Sequence, residues 1–390
     1  MNHSDPDIGR ISSALSAAGY SYTSGLTHNF YHYPARFSPD IAGAVIESLT
    51  TRADVVLDPF MGGGTTIIEA LRLGRRVIGV DLNALGEFVA RVRTTPLSPN
   101  DEDVLRAWAA NVAGRMGGPH PEVDAPLRLH NVPSAVGTFV AGALQLSQEL
   151  RFPRQQAFAR CSLLRLGQWS LDCRDFAAPR RRLLGNKLPE LVEVMLKGLR
   201  ELVEVCRDAE IAKNAIVGSR ALVHGNAVGL EHYPELRQFD RRPKLVFTSP
   251  PYPSVHVLYH RWQYRGRKET DAPYHIARVP DGFYESHYTG GSRTPTGRER
   301  YFKMITSAFQ SVRTALHPEG VVVQLVGFSD ANVQLPRYLE AMSTAGFDEW
   351  KPSPERLRRH VPNRKWYAKL RGPLDASSEL LLFHRPRPIH

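Results

Sequence analysis

The run Val55-Val56-Leu57-Asp58, followed at once by Pro59-Phe60-Met61-Gly62-Gly63-Gly64-Thr65-Thr66, constrains the fold of this chain more than any other feature. A short β-branched run reads as a buried strand, and the apolar spacing over residues 67–73 reads as a helix. Three consecutive glycines lie between them, where the backbone needs φ > 0 and close approach to whatever it faces. Gly74 closes the helix, and residues 76–82 read as the next strand, ending in Asp81. Strand, glycine turn, helix and strand make a βαβ unit. Such a unit builds a parallel sheet with a right-handed crossover and places its ligand site at the carboxyl ends of the strands.

That crevice has a readable chemistry. Thr65 and Thr66 open the helix, so free N–H groups and two hydroxyls point into it. No Gly-Lys-Ser/Thr follows, which excludes a Walker phosphate loop, and a carboxylate ligand suits the turn equally well. Asp81 falls 17 residues after Gly64, where an acidic side chain accepts hydrogen bonds from the two hydroxyls of a ribose. Two cofactors answer this description: a nicotinamide or flavin dinucleotide, and S-adenosylmethionine. The dinucleotide fingerprint Gly-x-Gly-x-x-Gly needs a glycine where Ile67 stands, whereas Asp58 before Pro59 and Phe60 is placed to meet an amino-acid ammonium.

A second motif closes another apolar run. Residues 244–248 read as a strand that ends in Ser249-Pro250-Pro251-Tyr252. Two prolines cannot continue a ladder, since neither has an N–H and both fix φ, so the chain leaves the sheet there as a rigid loop. Stiff carbonyls between a hydroxyl and an aromatic face are placed to hold one planar ring and accept hydrogen bonds from its exocyclic amine.

Further strands are expected over residues 221–224, 321–328 and 379–384, and amphipathic helices over 302–316 and 335–345. The whole reads as an open α/β sheet. A mainly helical insertion, residues 96–215, separates residues 1–95 from 216–390; its strongest amphipathic segment is 188–207, and 117–121 and 179–185 read as loops in it. Residues 253–300 hold too many Gly, Pro and aromatic residues to form one helix.

The 390 residues carry a formal charge of +11 and a pI near 9.7, which favours a polyanionic partner. Basic residues gather in 151–182, 293–300 and 356–369, with Trp169, Phe176, Trp366 and Tyr367 among them, the mixture of cations and flat rings that nucleic-acid grooves use. No apolar stretch approaches the roughly 18 residues that span a bilayer, and no basic-then-apolar leader opens the chain, so a cytoplasmic protein without membrane contact is expected. Cys161, Cys173 and Cys206 are too few and too scattered for a disulfide framework or a zinc site; no metal is expected.

The stretch from Asp58 to Thr66 resembles the S-adenosylmethionine motif of amino-methylating DNA methyltransferases, and Ser249-Pro250-Pro251-Tyr252 resembles their catalytic motif in its serine form. Upstream, His32-Tyr33-Pro34-Ala35-Arg36-Phe37 is similar to the segment that in this family encloses the methionine end of the cofactor. The resemblance extends over residues 28–95 and 216–386, including 316–328, Arg359 to Trp366 and Glu379 to Phe383. It implies a Rossmann-like class I methyltransferase sheet with helices on both faces, plus the helical insertion as a candidate target-recognition region. It implies S-adenosylmethionine as cofactor, held by His32, Phe37, Asp58, Pro59, Phe60, Gly62, Gly64, Thr65, Thr66 and Asp81, with Asn226 standing where many members carry an aspartate against the adenine. Ser249, Pro250, Pro251 and Tyr252 are the implied catalytic residues. Double-stranded DNA with a flipped target base is the implied partner, and a restriction or defence protein the implied companion.

The serine form is usual for cytosine N4, whereas the motif order, glycine turn before tetrapeptide with a large insert between, differs from the permuted order common among cytosine-N4 enzymes. Adenine N6 is therefore the nearest alternative. An RNA amino-methyltransferase on the same sheet and a catalytically silent nucleic-acid-binding protein complete the set. Carbon-5 methylation is excluded: its nucleophilic cysteine typically follows proline, and the three cysteines here follow Arg160, Asp172 and Val205. His256, Tyr259 and Trp262 are placed to line the base pocket, with core packing as the plainer role for each.

Overall fold

The computed structural model describes residues 7–17, 25–32, 38–118, 129–253, 261–266, 268–281, 294–361 and 377–388. Its principal sheet runs β3 (Arg220–His224), β2 (Arg76–Asp81), β1 (Val55–Asp58), β4 (Leu245–Thr248), β7 (Val321–Gly327), β10 (Ser377–Pro386) and β8 (Phe347–Glu349), with β9 (Leu357–Val361) also paired to β10. The strands from β3 to β7 are parallel, and β10 enters antiparallel between β7 and β8. Strand order reverses at β1 and β4, so the crevice of this open sheet lies at their carboxyl ends, where both motifs sit. A parallel sheet closed by one reversed strand in this order is the class I methyltransferase form of the Rossmann-like sheet.

Successive strand residues point to opposite faces, and both faces here are apolar. Val56, Val77, Phe247 and Val323 face one core, and Val55, Leu57, Ile78, Val246 and Val322 face the other. The second face is covered by α10 (Pro295–Ala315) and α11 (Ala331–Thr344), through Ile305, Phe309, Val312, Tyr338 and Met342. The first is covered by α2 (Pro39–Leu49), α3 (Thr65–Arg72) and α4 (Ala84–Arg93), with α1 (Ile8–Ala17) packed on α2.

The insertion supplies four helices: α5 (Pro99–Gly117), α6 (Ser134–Gln148), α7 (Pro153–Leu171) and α8 (Arg181–Asp208). They share the core of the first face, α7 against α4 and α8 against α3, so the insertion buttresses the sheet. One sequence expectation is corrected here. Residues 181–185, read as loop, form the first turns of α8: Leu184 is buried, and Gly185 lets α5 come so close that an added Cβ would lie 3.2 Å from the Ala113 carbonyl. Arginines at the start of a helix oppose its dipole, and tertiary packing overrides that preference.

The irregular stretch beyond the tetrapeptide is also more ordered than its composition suggests. It holds a hairpin, β5 (Trp262–Tyr264) with β6 (Lys268–Thr270), then α9 (Ala272–Ala277), and α10 begins at Pro295 under a Thr294 cap rather than at residue 302. The backbone of Cys173 and Arg174 bonds to this hairpin at Gln263 and Arg265, joining the end of α7 to the chain that leaves the tetrapeptide.

Candidate active site

Gly62 and Gly64 adopt φ of 51° and 82°, and Gly64 is the N-cap of α3. A Cβ on Gly64 would stand 2.9 Å from that of Ala90, so conformation and space both demand glycine. The turn is held from outside by Arg93, a buried guanidinium at the end of α4, which donates to the carbonyls of Gly63, His28 and Tyr31. One cation thus ties the glycine turn to the segment that leads into His32.

Asp81 ends β2 beside this turn. Its Oδ2 accepts the Gly62 N–H at 2.7 Å and its Oδ1 the Asn83 N–H at 2.8 Å, and the residue is only partly buried. Loss of solvation pushes its pKa up, to about 6, against the downward pull of those amides. Each oxygen keeps a lone pair, so the carboxylate is able to receive two hydroxyl hydrogens. A turn without side chains beside such a carboxylate fits the nucleoside part of S-adenosylmethionine.

Asp58 is placed differently from the sequence reading. It is fully buried, and donors within the protein occupy both its oxygens: Thr248 Oγ1 at 2.6 Å and the Phe60 N–H at 3.1 Å on Oδ1, and Thr66 Oγ1 at 2.6 Å on Oδ2. Burial lifts its pKa to about 6, and the three donors lower it in turn. Asp58 therefore bridges the first turn of α3 to the last residue of β4. It fixes the glycine turn against the tetrapeptide, and its carboxylate is not turned out to solvent.

The tetrapeptide begins one residue later. Thr248 pairs with Gln324 on β7, which brings Ser249 beside Leu325. Ser249 Oγ donates to the Leu325 carbonyl at 2.9 Å and lies 3.1 Å from Tyr252 Oη. Tyr252 Oη donates to Glu379 Oε1 at 2.8 Å, and Arg359 on β9 meets Glu379 Oε2 at 3.3 Å. The Pro251 carbonyl accepts from Tyr301 Oη at 2.8 Å, whereas among the described residues nothing donates to the Pro250 carbonyl. Thr248, Leu325, Tyr301, Arg359 and Glu379 were not singled out from sequence as site residues. Leu325, Arg359 and Glu379 fall in segments that carry the resemblance, and Glu379 is also the one charge opening the apolar run Leu380-Leu381-Leu382-Phe383.

The remaining expected residues divide. Pro59 and Thr65 are buried, and Phe60 is half-buried against Phe309. His32 is exposed, with its backbone held in both directions by Gln168 of α7. Asn226 lies just past β3, and its Oδ1 caps the Val228 N–H at 2.9 Å. Trp262 is core: its Nε1 donates to the buried Tyr31 hydroxyl. Phe37, His256 and Tyr259 lie outside the described residues. The Cys161 and Cys206 thiols are buried and pushed up to about 12. Among the described residues no helix is long and apolar enough to cross a membrane, and no cluster of His, Cys, Asp or Glu has the makings of a metal site.

One family model matches the part of the chain that holds the glycine turn. The N6_N4_Mtase family, described as DNA methylase, matches residues 10–85. The type II methyltransferase M.MvaI of Kocuria varians is 37% identical over 81 residues, 20% of this chain and 18% of that protein. M.BsoBI of Geobacillus stearothermophilus is 32% identical over 82 residues, 21% of this chain and 16% of its own length. The chain thus spans less than a fifth of the length of these two relatives. The rRNA methyltransferase aviRa of Streptomyces viridochromogenes aligns over 95% of this chain and 92% of that one, at 12% identity and a TM-score of 0.33, a likeness too slight to bear on substrate. The family match and the type II relatives support an amino-methyltransferase with S-adenosylmethionine as its methyl donor.

Proposed function

We propose that this chain methylates the exocyclic amine of a base in double-stranded DNA, with cytosine N4 as the acceptor. The observation that carries this is the direction of the Ser249 hydroxyl. Its single hydrogen is taken within the protein, by the Leu325 carbonyl or by the Tyr252 hydroxyl that itself donates to Glu379, so the oxygen has only lone pairs left for the crevice. A group meeting those lone pairs must be a donor, which an amine is and a base carbonyl is not. With the Pro250 carbonyl as second acceptor, both amine hydrogens are engaged, the nitrogen lone pair is drawn out of the ring, and the nitrogen is held for in-line attack.

S-adenosylmethionine supplies an electrophilic methyl when bound, with Asp81 and the turn at Gly62 and Gly64 as the protein groups for its nucleoside. In this reading Thr65, Thr66, Pro59, Phe60, His32 and Asn226 belong to the same cofactor site, and Asp58, bonded to Thr66 and Thr248, ties that site to the strand that leads to Ser249. Tyr252 offers the flipped base an aromatic face, its ring anchored through the hydroxyl. The serine in the tetrapeptide favours cytosine N4; the order of the two motifs favours adenine N6 as the second reading.

The test is transfer of labelled methyl from S-adenosylmethionine to duplex DNA. Wild type is expected to transfer, and Ser249→Ala to be slower by about 10²–10⁴-fold, as for loss of one preorganised group, with DNA binding retained. Equal rates would remove Ser249 from the mechanism.

A further inference from the structure

Around Ser249, three oxygen-to-oxygen contacts share two hydroxyl hydrogens. Ser249 Oγ is 2.9 Å from the Leu325 carbonyl and 3.1 Å from Tyr252 Oη, and Tyr252 Oη is 2.8 Å from Glu379 Oε1. The carbonyl only accepts. The Arg359 guanidinium lies 3.3 Å from Glu379 Oε2, and Glu379 Oε1 accepts the Tyr252 hydrogen. The single hydrogen of Ser249 is left with two acceptors, Leu325 O and Tyr252 Oη. In the first position the Ser249 oxygen is free to receive an amine hydrogen. In the second it heads a continuous path to a buried base.

We propose that Glu379 is the terminal proton acceptor of the reaction, reached from Ser249 through the Tyr252 hydroxyl and held ionised by Arg359. This rests on the reading of the site as an amine methyltransferase. When the amine nitrogen forms its bond to the methyl carbon, the carbon–sulfur bond breaks and its electron pair stays on sulfur. The positive charge passes to the nitrogen, and one N–H proton must leave. That proton goes to Ser249 Oγ as the Ser249 hydrogen passes to Tyr252 Oη and the Tyr252 hydrogen passes to Glu379 Oε1. The methylated amine, serine and tyrosine end neutral, and Glu379 ends as the carboxylic acid, which later releases its proton to solvent.

The surroundings suit a base of this kind. Glu379 lies between Gly327 of β7 and Arg359 of β9 in the ladder, so one neighbour brings no side chain and the other a cation. Among the described residues, Tyr338 of α11 is a further titratable group that acts electrostatically on Tyr252. Its phenol is buried and held well above the usual range, so it stays neutral and does not compete for the proton.

Glu379→Gln separates a proton acceptor from a mere anchor, because the amide oxygen still accepts from Tyr252 but takes no proton at neutral pH. Single-turnover methyl transfer is expected to fall about 10²-fold in Glu379→Gln and in Tyr252→Phe, with no further fall in the double variant. Affinities for S-adenosylmethionine and for DNA should be unchanged in both. Independently of activity, the infrared difference spectrum between ligand-free wild type and Glu379→Gln at neutral pH should show an ionised carboxylate. A Glu379→Gln rate equal to wild type, additive losses in the double variant, or a protonated carboxyl band would each overturn the relay while leaving the methyltransferase reading intact. Failure of wild type to methylate any amine would overturn both.

Discussion

Replacing Thr248 by valine keeps the shape of the side chain and removes the hydroxyl that donates to Asp58 Oδ1 at 2.6 Å. Burial lifts Asp58 from an ordinary 3.8 to about 6, so it is mostly ionised at pH 7 and mostly protonated at pH 5. A hydrogen bond to a charged group contributes about 1.5–3 kcal/mol and one to a neutral group about 0.5–1.5 kcal/mol. Thr248→Val is therefore expected to lower the unfolding free energy by about 2 kcal/mol at pH 7 and about 1 kcal/mol at pH 5. The sign follows from linkage. A carboxyl whose folded pKa lies above its unfolded value contributes most stability when protonated, and that contribution declines as pH rises from about 4 to about 6. Removing a donor to the ionised form raises the folded pKa further, by roughly 0.7 unit for a 1 kcal/mol difference, which extends the decline to higher pH. Urea unfolding at the two pH values measures it. In an Asp58→Asn background the pH difference should vanish. Equal losses at both pH values, or a loss below about 0.5 kcal/mol at pH 7, would refute Asp58 as an ionised bridge between α3 and β4.

The other expectations concern ligands. If Asp81 receives the ribose hydroxyls as a carboxylate, S-adenosylmethionine affinity measured by calorimetry should weaken about tenfold per pH unit below its pKa of about 6 and level off above it; Asp81→Asn should bind weakly and without that slope. Arg180 and Arg182 are exposed, as is the Phe176 ring that Arg174 covers, whereas Arg181 is bound to the Gly118 carbonyl at the end of α5. Charge reversal at Arg180 and Arg182 is expected to weaken DNA binding and flatten its salt dependence, with cofactor affinity unchanged, in filter-binding titrations across salt. Unaltered DNA affinity would make the start of α8 a solvated scaffold.

What the sequence displayed and what it concealed follow the reach of each interaction. The glycine turn and Asp81 were legible because their constraints are local: φ > 0 at Gly62 and Gly64, and a carboxylate at the end of the strand that follows. Ser249 to Tyr252 were legible because two prolines define a loop unaided. Asp58 was misplaced for the opposite reason. Its partners Thr66 and Thr248 are 8 and 190 residues away, and only the pairing of β1 with β4 brings the second into reach. Glu379 and Arg359 share that difficulty, since β10 must cross to the far side of β7 before either nears Tyr252. The insertion was legible as helices but not as a buttress, because which face α7 and α8 bury depends on the packing of α3 and α4 beneath them.

The central claim is that the Ser249 oxygen, as an acceptor, selects an exocyclic amine. Duplex DNA incubated with the protein and S-adenosylmethionine, then digested to nucleosides and resolved by mass spectrometry, tests it most directly. N4-methylcytosine is the predicted product, and N6-methyladenine would keep the amine but change the base. A 5-methylcytosine product, or transfer to RNA alone, would contradict the account.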